Sequence, residues 1–339
     1  LKTFENGDLA PYRPVLQRLI DDGEWDLLAD SHCQIMPFGT GGRRGPVGVG
    51  PNRFNPHNLA SSVQGHVAYL RDLFGEATDL TVVVAFDVRE FKDLRELYPT
   101  DVPNPLMGWR SRDFARLAAE VYAANGVQVH MLDPEGDAFM STPELSFAIR
   151  RLSAHGGLNV SASHNHPDDN GGKFYNVHGG QEVPPQDERM VSIVENVRSY
   201  DRVDFGEAVA SGIVSLVGPD MHRAYLDLNL QFARHPEVRD LKIVFTNLHG
   251  VGDQTAGEVL SEAAFAVTLL PVHHAHHGPL PGPPLRPPPP DHPAPTAPAA
   301  ALAPHLAADL LPPRPPAAPP LPPRPRPAPR ARRSPPAHH

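Results

Sequence analysis

The distribution of proline confines any packed core of this chain to its first 270 residues. Of 42 prolines in 339 residues, 26 lie after residue 270. That last stretch contains no Phe, Tyr, Trp, Ile or Met, and its seven arginines and two aspartates give it a net charge of +5. It cannot bury enough apolar surface to offset the entropy of ordering it, so residues 271–339 are expected to be disordered with polyproline II character. Residues 1–270 hold 23 Lys+Arg against 37 Asp+Glu, a net charge of −14. That balance argues against a nucleic-acid surface, and the total length allows about two domains.

The front part alternates helical and strand periodicities. Leu59, Val63, Val67, Leu70 and Phe74 recur at helical spacing. The β-branched run Val82-Val83-Val84 predicts a buried strand over 81–87. Phe114, Leu117, Ala118, Val121 and Tyr122 mark a second helix, stopped by Asn125-Gly126. A strand over 127–132 follows, then a helix capped by Ser141 or Thr142, with Pro143 in its first turn, running through Leu152. The apolar residues Leu158 and Val160 predict a strand that delivers a polar loop. Further helices are expected near 188–199, 219–233 and 254–264, with strands at 241–246 and 265–270. The fold class is therefore α/β, a mixed sheet with helices on both faces. No apolar run approaches the ~20 residues of a membrane span. The polar start, with Lys2, Glu5 and Asp8, does not read as a secretory signal, and a start at Leu1 leaves the natural one upstream or at an alternative codon. Cys33 is the only cysteine, which excludes an intrachain disulfide and fits a reducing, cytoplasmic setting.

Four segments carry chemistry. Ser161-Ala162-Ser163-His164-Asn165, with Gly172-Lys173 shortly after, puts a hydroxyl, an imidazole and an ammonium in one segment too polar and glycine-rich for a core. A phosphate on the serine would carry roughly −1.5 to −2 charges, which those cations can balance. The bland alternative is a solvated turn of Asn, Asp and Gly. Phe38-Gly39-Thr40-Gly41-Gly42-Arg43-Arg44-Gly45 can form a nest of inward N–H groups, with Arg44 adding a bidentate grip on phosphate; a flexible connection is the competing reading. Asp87 and Arg89 end the predicted strand 81–87, where open α/β sheets place functional loops. They suit a structural ion pair and substrate contact equally. Ile243–Gly252 reads as a strand followed by a His-Gly turn, in which His249 is a positioned structural histidine rather than a base.

Together these segments resemble the α-D-phosphohexomutases, the phosphoglucomutase and phosphomannomutase family. The serine segment is similar to T-A-S-H-N-P followed by N-G-x-K, with Ser161 for the threonine and His166 before Pro167. The glycine segment resembles F-G-T-[SG]-G-x-R-G, with Arg44 at the arginine position and Arg43 at the variable one; its continuation Gly48–Asn55 resembles the phosphoglucomutase and phosphopentomutase branch. TVVVAFDVR resembles a strand ending in G-Y-D-x-R, and TNLHGVG resembles T-P-L-H-G-x-G, with Asn247 for proline.

The resemblance implies domain I over 1–185, part of domain II over 186–270, and the tail from 271. It implies a phosphorylated Ser163 that exchanges its phosphoryl group with hexose phosphates, interconverting 1-phospho and 6-phospho sugars through a hexose 1,6-bisphosphate. Ser163, His164, Lys173 and Arg44 would be catalytic. Thr40, Gly41, Arg44, Asn165, Asp87, Arg89 and His249 would bind substrate or its phosphate. Mg²⁺ would bind through the phosphate on Ser163, completed in the family by a D-x-D-x-D-R loop. That loop, the sugar-specificity loop and the last phosphate loop have no counterpart in residues 271–339, so the chain is expected to lack turnover.

The tail's alphabet suggests its origin. Apart from Thr296 and Ser334, every tail residue can be written with a codon beginning in C or G, the signature of a GC-rich gene read out of frame. A frameshift is the first reading, and resequencing the locus checks it. A genuine linker is the second: PPRPPAAPPLPPRPRP contains P-x-x-P patterns with arginine that suit an SH3-type partner. The run His273–His277 could take metal adventitiously.

Overall fold

The structure, a computed structural model, describes residues 10–39, 41–274, 276 and 301–302. Two helices, α1 (Arg13–Asp21) and α2 (Trp25–His32), precede strand β1 (Gly42–Pro46). Then follow α3 (Pro56–Phe74), β2 (Thr81–Phe86), α4 (Ser111–Ala124), β3 (Gln128–Met131), α5 (Thr142–Arg151), β4 (Gly156–Val160) and β5 (Asp169–Asn176). The chain continues through α6 (Gln186–Glu195), α7 (Phe205–Ala210), β6 (Val214–Leu216) and α8 (Pro219–Leu230). It closes with β7 (Lys242–Phe245), α9 (Glu258–Glu262), β8 (Ala266–Leu269) and α10 (Pro271–His274).

Six strands form one sheet in the order β1-β5-β4-β2-β3-β6. β4, β2, β3 and β6 run parallel, and β5 and β1 add antiparallel to the β4 edge. The alternation of β2 shows why both faces are covered. Val82, Val84 and Phe86 pack into the larger core with α3 and α4, while Val83 and Ala85 pack with Leu145, Ala148 and Ile149 of α5. The expected mixed sheet with helices on both faces is thus the observed one.

Local signals set the helix ends. The Asn55 side chain accepts the Asn58 N–H at 3.0 Å to open α3, and the Ser141 hydroxyl accepts the Glu144 N–H at 3.3 Å to open α5. α4 stops at Asn125, with Gly126 at φ 70°. Where α3 crosses α6, Gly65 allows an approach at which a Cβ would lie 2.6 Å from Val194 Cγ2.

Three boundaries differ from the sequence reading. The first sheet does not end by residue 185: β6 pairs with β3, Val129 opposite Val214, and α6 and α7 lie against α3 and α4. The expected helix over 254–264 is a π-helical turn, Asp253–Gly257, followed by the five-residue α9. The tail does not begin at 271. Pro271–His274 is helical and His273 is buried, its carbonyl accepting the His249 N–H at 2.9 Å. The rest of the proline-rich tail lies outside the described residues apart from His276, which contacts Asp253 at 2.7 Å, and the pair 301–302. Among the described residues, no helix is long and apolar enough to cross a membrane.

β7 and β8 form a separate parallel pair. α8 ties this part to the main sheet through His222, whose Nδ1 lies 2.8 Å from Glu144 and whose Nε2 lies 3.3 Å from Glu258. The hydrogen bond to Glu144, and then the charge of that carboxylate, push the imidazole pKa up against the opposing effect of burial. A raised folded pKa contributes stability that is fully present below the unfolded value and lost as pH rises through the folded one. Thermal melts from about pH 6 to 8 should therefore show the wild type losing more stability than His222→Gln. Parallel profiles for the two proteins would sink this reading.

Candidate active site

β4 ends at Val160, and residues 161–168 turn back to start β5. This places the serine loop at the C-terminal ends of the parallel strands β2 and β4. The loop is not the solvated turn its composition suggests. Ser161, Ala162 and the run Pro167–Gly172 are buried, and only Ser163 and His164 are exposed. Ser163 has φ 55°, and its N–H donates to the Ser161 hydroxyl at 3.0 Å. A left-handed backbone at a non-glycine residue costs of order 1–3 kcal/mol, and the surrounding contacts must hold it. Here that conformation presents the Ser163 hydroxyl at the loop's tip.

Lys173 is the group the fold brings to that hydroxyl. It stands on β5 opposite Asn159 and donates from Nζ to Ser163 Oγ at 2.5 Å. Burial pushes the Lys173 pKa down; Arg44 adds to the fall and Asp87 opposes it. Arg44 lies on β1 opposite Gly171, and Gly42 lies opposite Lys173. Residues two apart on a strand share a face, so Arg44 and Lys173 point to the same side of the sheet. The intervening Arg43 points to the other. Close approach of β1 and β5 requires glycine at position 42, where a Cβ would sit 2.0 Å from the Gly172 carbonyl oxygen.

Arg89 is placed beneath the loop rather than at its surface. It is 2% exposed. Its Nη1 donates to the carbonyls of His166 (2.6 Å), Pro167 (3.3 Å) and Asp169 (3.1 Å), and its Nη2 to those of Ser163 (2.6 Å) and Asn165 (2.9 Å). Asp87 pairs with Arg89 Nε at 3.3 Å and accepts the Ser111 hydroxyl at 2.5 Å; Asn170 donates to that hydroxyl at 3.0 Å. The ion pair that was one of the two roles expected of Asp87 and Arg89 is thus formed.

Other predicted residues fall as follows. Asn165 sits in the loop, its amide donating to Asp169 at 3.1 Å. Thr40 lies outside the described residues. Gly41 has φ 70° and its carbonyl accepts the Phe174 N–H at 2.7 Å. Two amides of the expected nest are spent internally: Gly39 N–H donates to the Gly42 carbonyl at 2.8 Å and Gly42 N–H to that of Gly39 at 3.1 Å. His249 belongs to the end of β7, buried, with its ring 5.4 Å from that of His273.

Sequence reasoning missed the acidic residues under the loop. Asp168 is 1% exposed and accepts the backbone N–H groups of Lys92 and Arg95, and Arg95 pairs with Asp169 at 2.7 Å. Their adjacency to the motif was the available signal.

A divalent cation such as Mg²⁺ needs several hard oxygen ligands. The acids near Ser163 are committed to protein donors, and the nearest group to its hydroxyl is an ammonium. Among the described residues, no group of three or more His, Cys, Asp or Glu could hold a metal ion. These residues alone do not fit the ion.

Residues 109–201 match a family model described as phosphoglucomutase/phosphomannomutase, alpha/beta/alpha domain I, a span that also runs past residue 185. The chain is 29% identical over 231 residues to the phosphoglucomutase of Staphylococcus saprophyticus, covering 67% of this chain and 37% of that protein. It is 28% identical over 243 residues to the human phosphopentomutase, covering 70% of this chain and 37% of that one. It therefore spans little more than a third of the length of these relatives. A phosphoglucomutase/phosphomannomutase family protein of Burkholderia thailandensis has a similar fold, with a TM-score of 0.58 at 18% identity, covering 82% of this chain and 52% of that one.

Proposed function

We propose that the chain is a member of the phosphoglucomutase/phosphomannomutase family, whose domain I model matches residues 109–201, and that it is the phosphoserine-bearing part of a phosphosugar mutase. Ser163 is the group that accepts and returns the phosphoryl. The observation that carries this reading is the Lys173 Nζ contact to Ser163 Oγ at 2.5 Å, on the face shared with Arg44.

In the first half-reaction, the P–O bond from phosphoserine to Ser163 Oγ breaks as a bond forms to a sugar hydroxyl. The sugar's proton passes to a base, and Ser163 Oγ takes one up. Lys173 stands where it can supply that proton, and when neutral it can remove the proton from Ser163 in the return step. Its lowered pKa raises the neutral fraction. Arg44 neutralises charge on the transferring group. His164 is exposed beside Ser163, where it can meet the incoming sugar phosphate. A hexose 1-phosphate and 6-phosphate pair is the substrate we favour, by way of a hexose 1,6-bisphosphate; pentose phosphates are the second class, given the relatives' names.

Phosphopeptide mapping of the protein after incubation with glucose 1,6-bisphosphate should find one phosphate, at Ser163, and none in Ser163→Ala. Label at another residue, or equal label in the variant, would remove Ser163 from its role. The 339 residues alone should convert glucose 1-phosphate negligibly, because their described part offers no acid cluster for Mg²⁺. Turnover near the ~10 s⁻¹ of ordinary enzymes would refute that.

A further inference from the structure

The face of β1 opposite the serine loop holds a second arginine that the proposed chemistry does not use. Arg43 is 4% exposed. Its Nη1 donates to the Asn58 carbonyl at 3.3 Å and the Ser62 hydroxyl at 3.1 Å, and its guanidinium lies 5.9 Å from the centre of the Phe38 ring. Its Nε is buried with no hydrogen-bond partner. Burial pushes its pKa down, and the carboxylate that opposes this, Glu195, acts through space rather than through a hydrogen bond. Arginine is almost never this buried unless paired with an anion, because an unpaired charge out of water is costly.

The missing partner has a place to sit. Arg43 lines an open cavity of about 420 Å³ between β1, the first turns of α3 and the end of α6. Arg198 on the α6 side is a second cation, and Glu195 adds one carboxylate to the same lining; Asn58 and Ser61 spend their side-chain donors on the carbonyls of Pro51, Arg53 and His57. Arg198 is held at the rim by its bonds to the carbonyls of Glu195 (2.8 Å) and Val197 (3.1 Å). The volume falls within the range of small-molecule sites and exceeds what a bare ion fills.

We propose that this cavity binds a small metabolite through a phosphate or carboxylate group, with Arg43 as the oxyanion's main ligand and Arg198 as its second cation. A guanidinium gives either group a bidentate, charge-assisted contact. The site is distinct from the serine loop: Arg43 and Arg44 are neighbours on one strand and point to opposite faces. A bound anion would press on the same strand that positions Arg44.

Isothermal titration of the full chain tests this, with inorganic phosphate and citrate as separate probes. The serine loop itself offers cations to phosphate, so the comparison is made in a Lys173→Met background. That protein should still bind one oxyanion. Adding Arg43→Met should weaken binding at least about tenfold, and Arg43→Lys should restore part of it. Circular dichroism melts establish that each variant is folded, and the Asn58 carbonyl that Arg43→Met releases keeps the Ser62 hydroxyl as a donor. Arg43-dependent binding of phosphate alone assigns a phosphate ligand; of citrate alone, a carboxylate; of both, oxyanions in general. Absence of binding in the Lys173→Met protein, or binding unchanged by Arg43→Met in folded protein, overturns the proposal.

Discussion

Arg89→Met is expected to cost about 3–5 kcal/mol, the scale for removing one member of a buried charged network. The variant loses the donors to five carbonyls of the serine loop and leaves Asp87 without its ion partner. Each carbonyl left buried and unpaired costs about 1–3 kcal/mol, reduced by whatever water enters. Arg89→Lys should recover little, because a single ammonium cannot reach both ends of the loop as a planar fork does. Urea unfolding measures the loss, and amide hydrogen exchange over 163–170 locates it. A loss below about 1 kcal/mol, with loop protection intact, would mean that the loop holds its shape without Arg89.

Lys173→Met should separate function from stability. Transfer of phosphate onto Ser163 is expected to fall by about 10²–10⁴, the usual contribution of a positioned acid–base group. The unphosphorylated fold should keep or gain stability. Burial and Arg44 depress the Lys173 pKa in the folded state, so folding disfavours its cation. That penalty applies below the depressed pKa and is relieved as pH rises through it towards the ordinary lysine value. The wild type should therefore gain stability relative to Lys173→Met across that alkaline window. Phosphorylation of Ser163 should reverse the effect by giving the cation a dianion to face. Equal denaturant midpoints at all alkaline pH values would show that Lys173 titrates no differently in the folded chain.

The fold's centre was legible because its signals are local. The Val82-Val83-Val84 run, the Asn125-Gly126 stop and the Ser141 cap each act within a few residues, and each formed the element it predicts. Ser163 and Lys173 were legible as a pair because β5 returns antiparallel to β4, which brings residues ten apart into contact. Other features depend on partners far along the chain. Ser111 meets Asp87 across 24 residues and Arg89 meets the loop across 74 or more. No periodicity announces such contacts, so Arg89 read as equally suited to binding substrate and the polar run 167–172 as too polar to be core. β6 escaped notice because three residues with one buried side chain, Val214, are too few to show alternation.

Arg89 has an electrostatic effect beyond bracing. In a trans peptide the N–H points away from its carbonyl. Drawing the carbonyls of Ser163 and Asn165 down onto one guanidinium therefore turns the amides of His164 and His166 away from it. The loop's partial negative charges are gathered underneath and its partial positive charges are left above, on the side where the Ser163 hydroxyl stands. A cation sealed from solvent thus polarises the surface over it in favour of a dianion. In that sense Arg89 would serve a phosphate on Ser163 at one remove, through the backbone it has oriented.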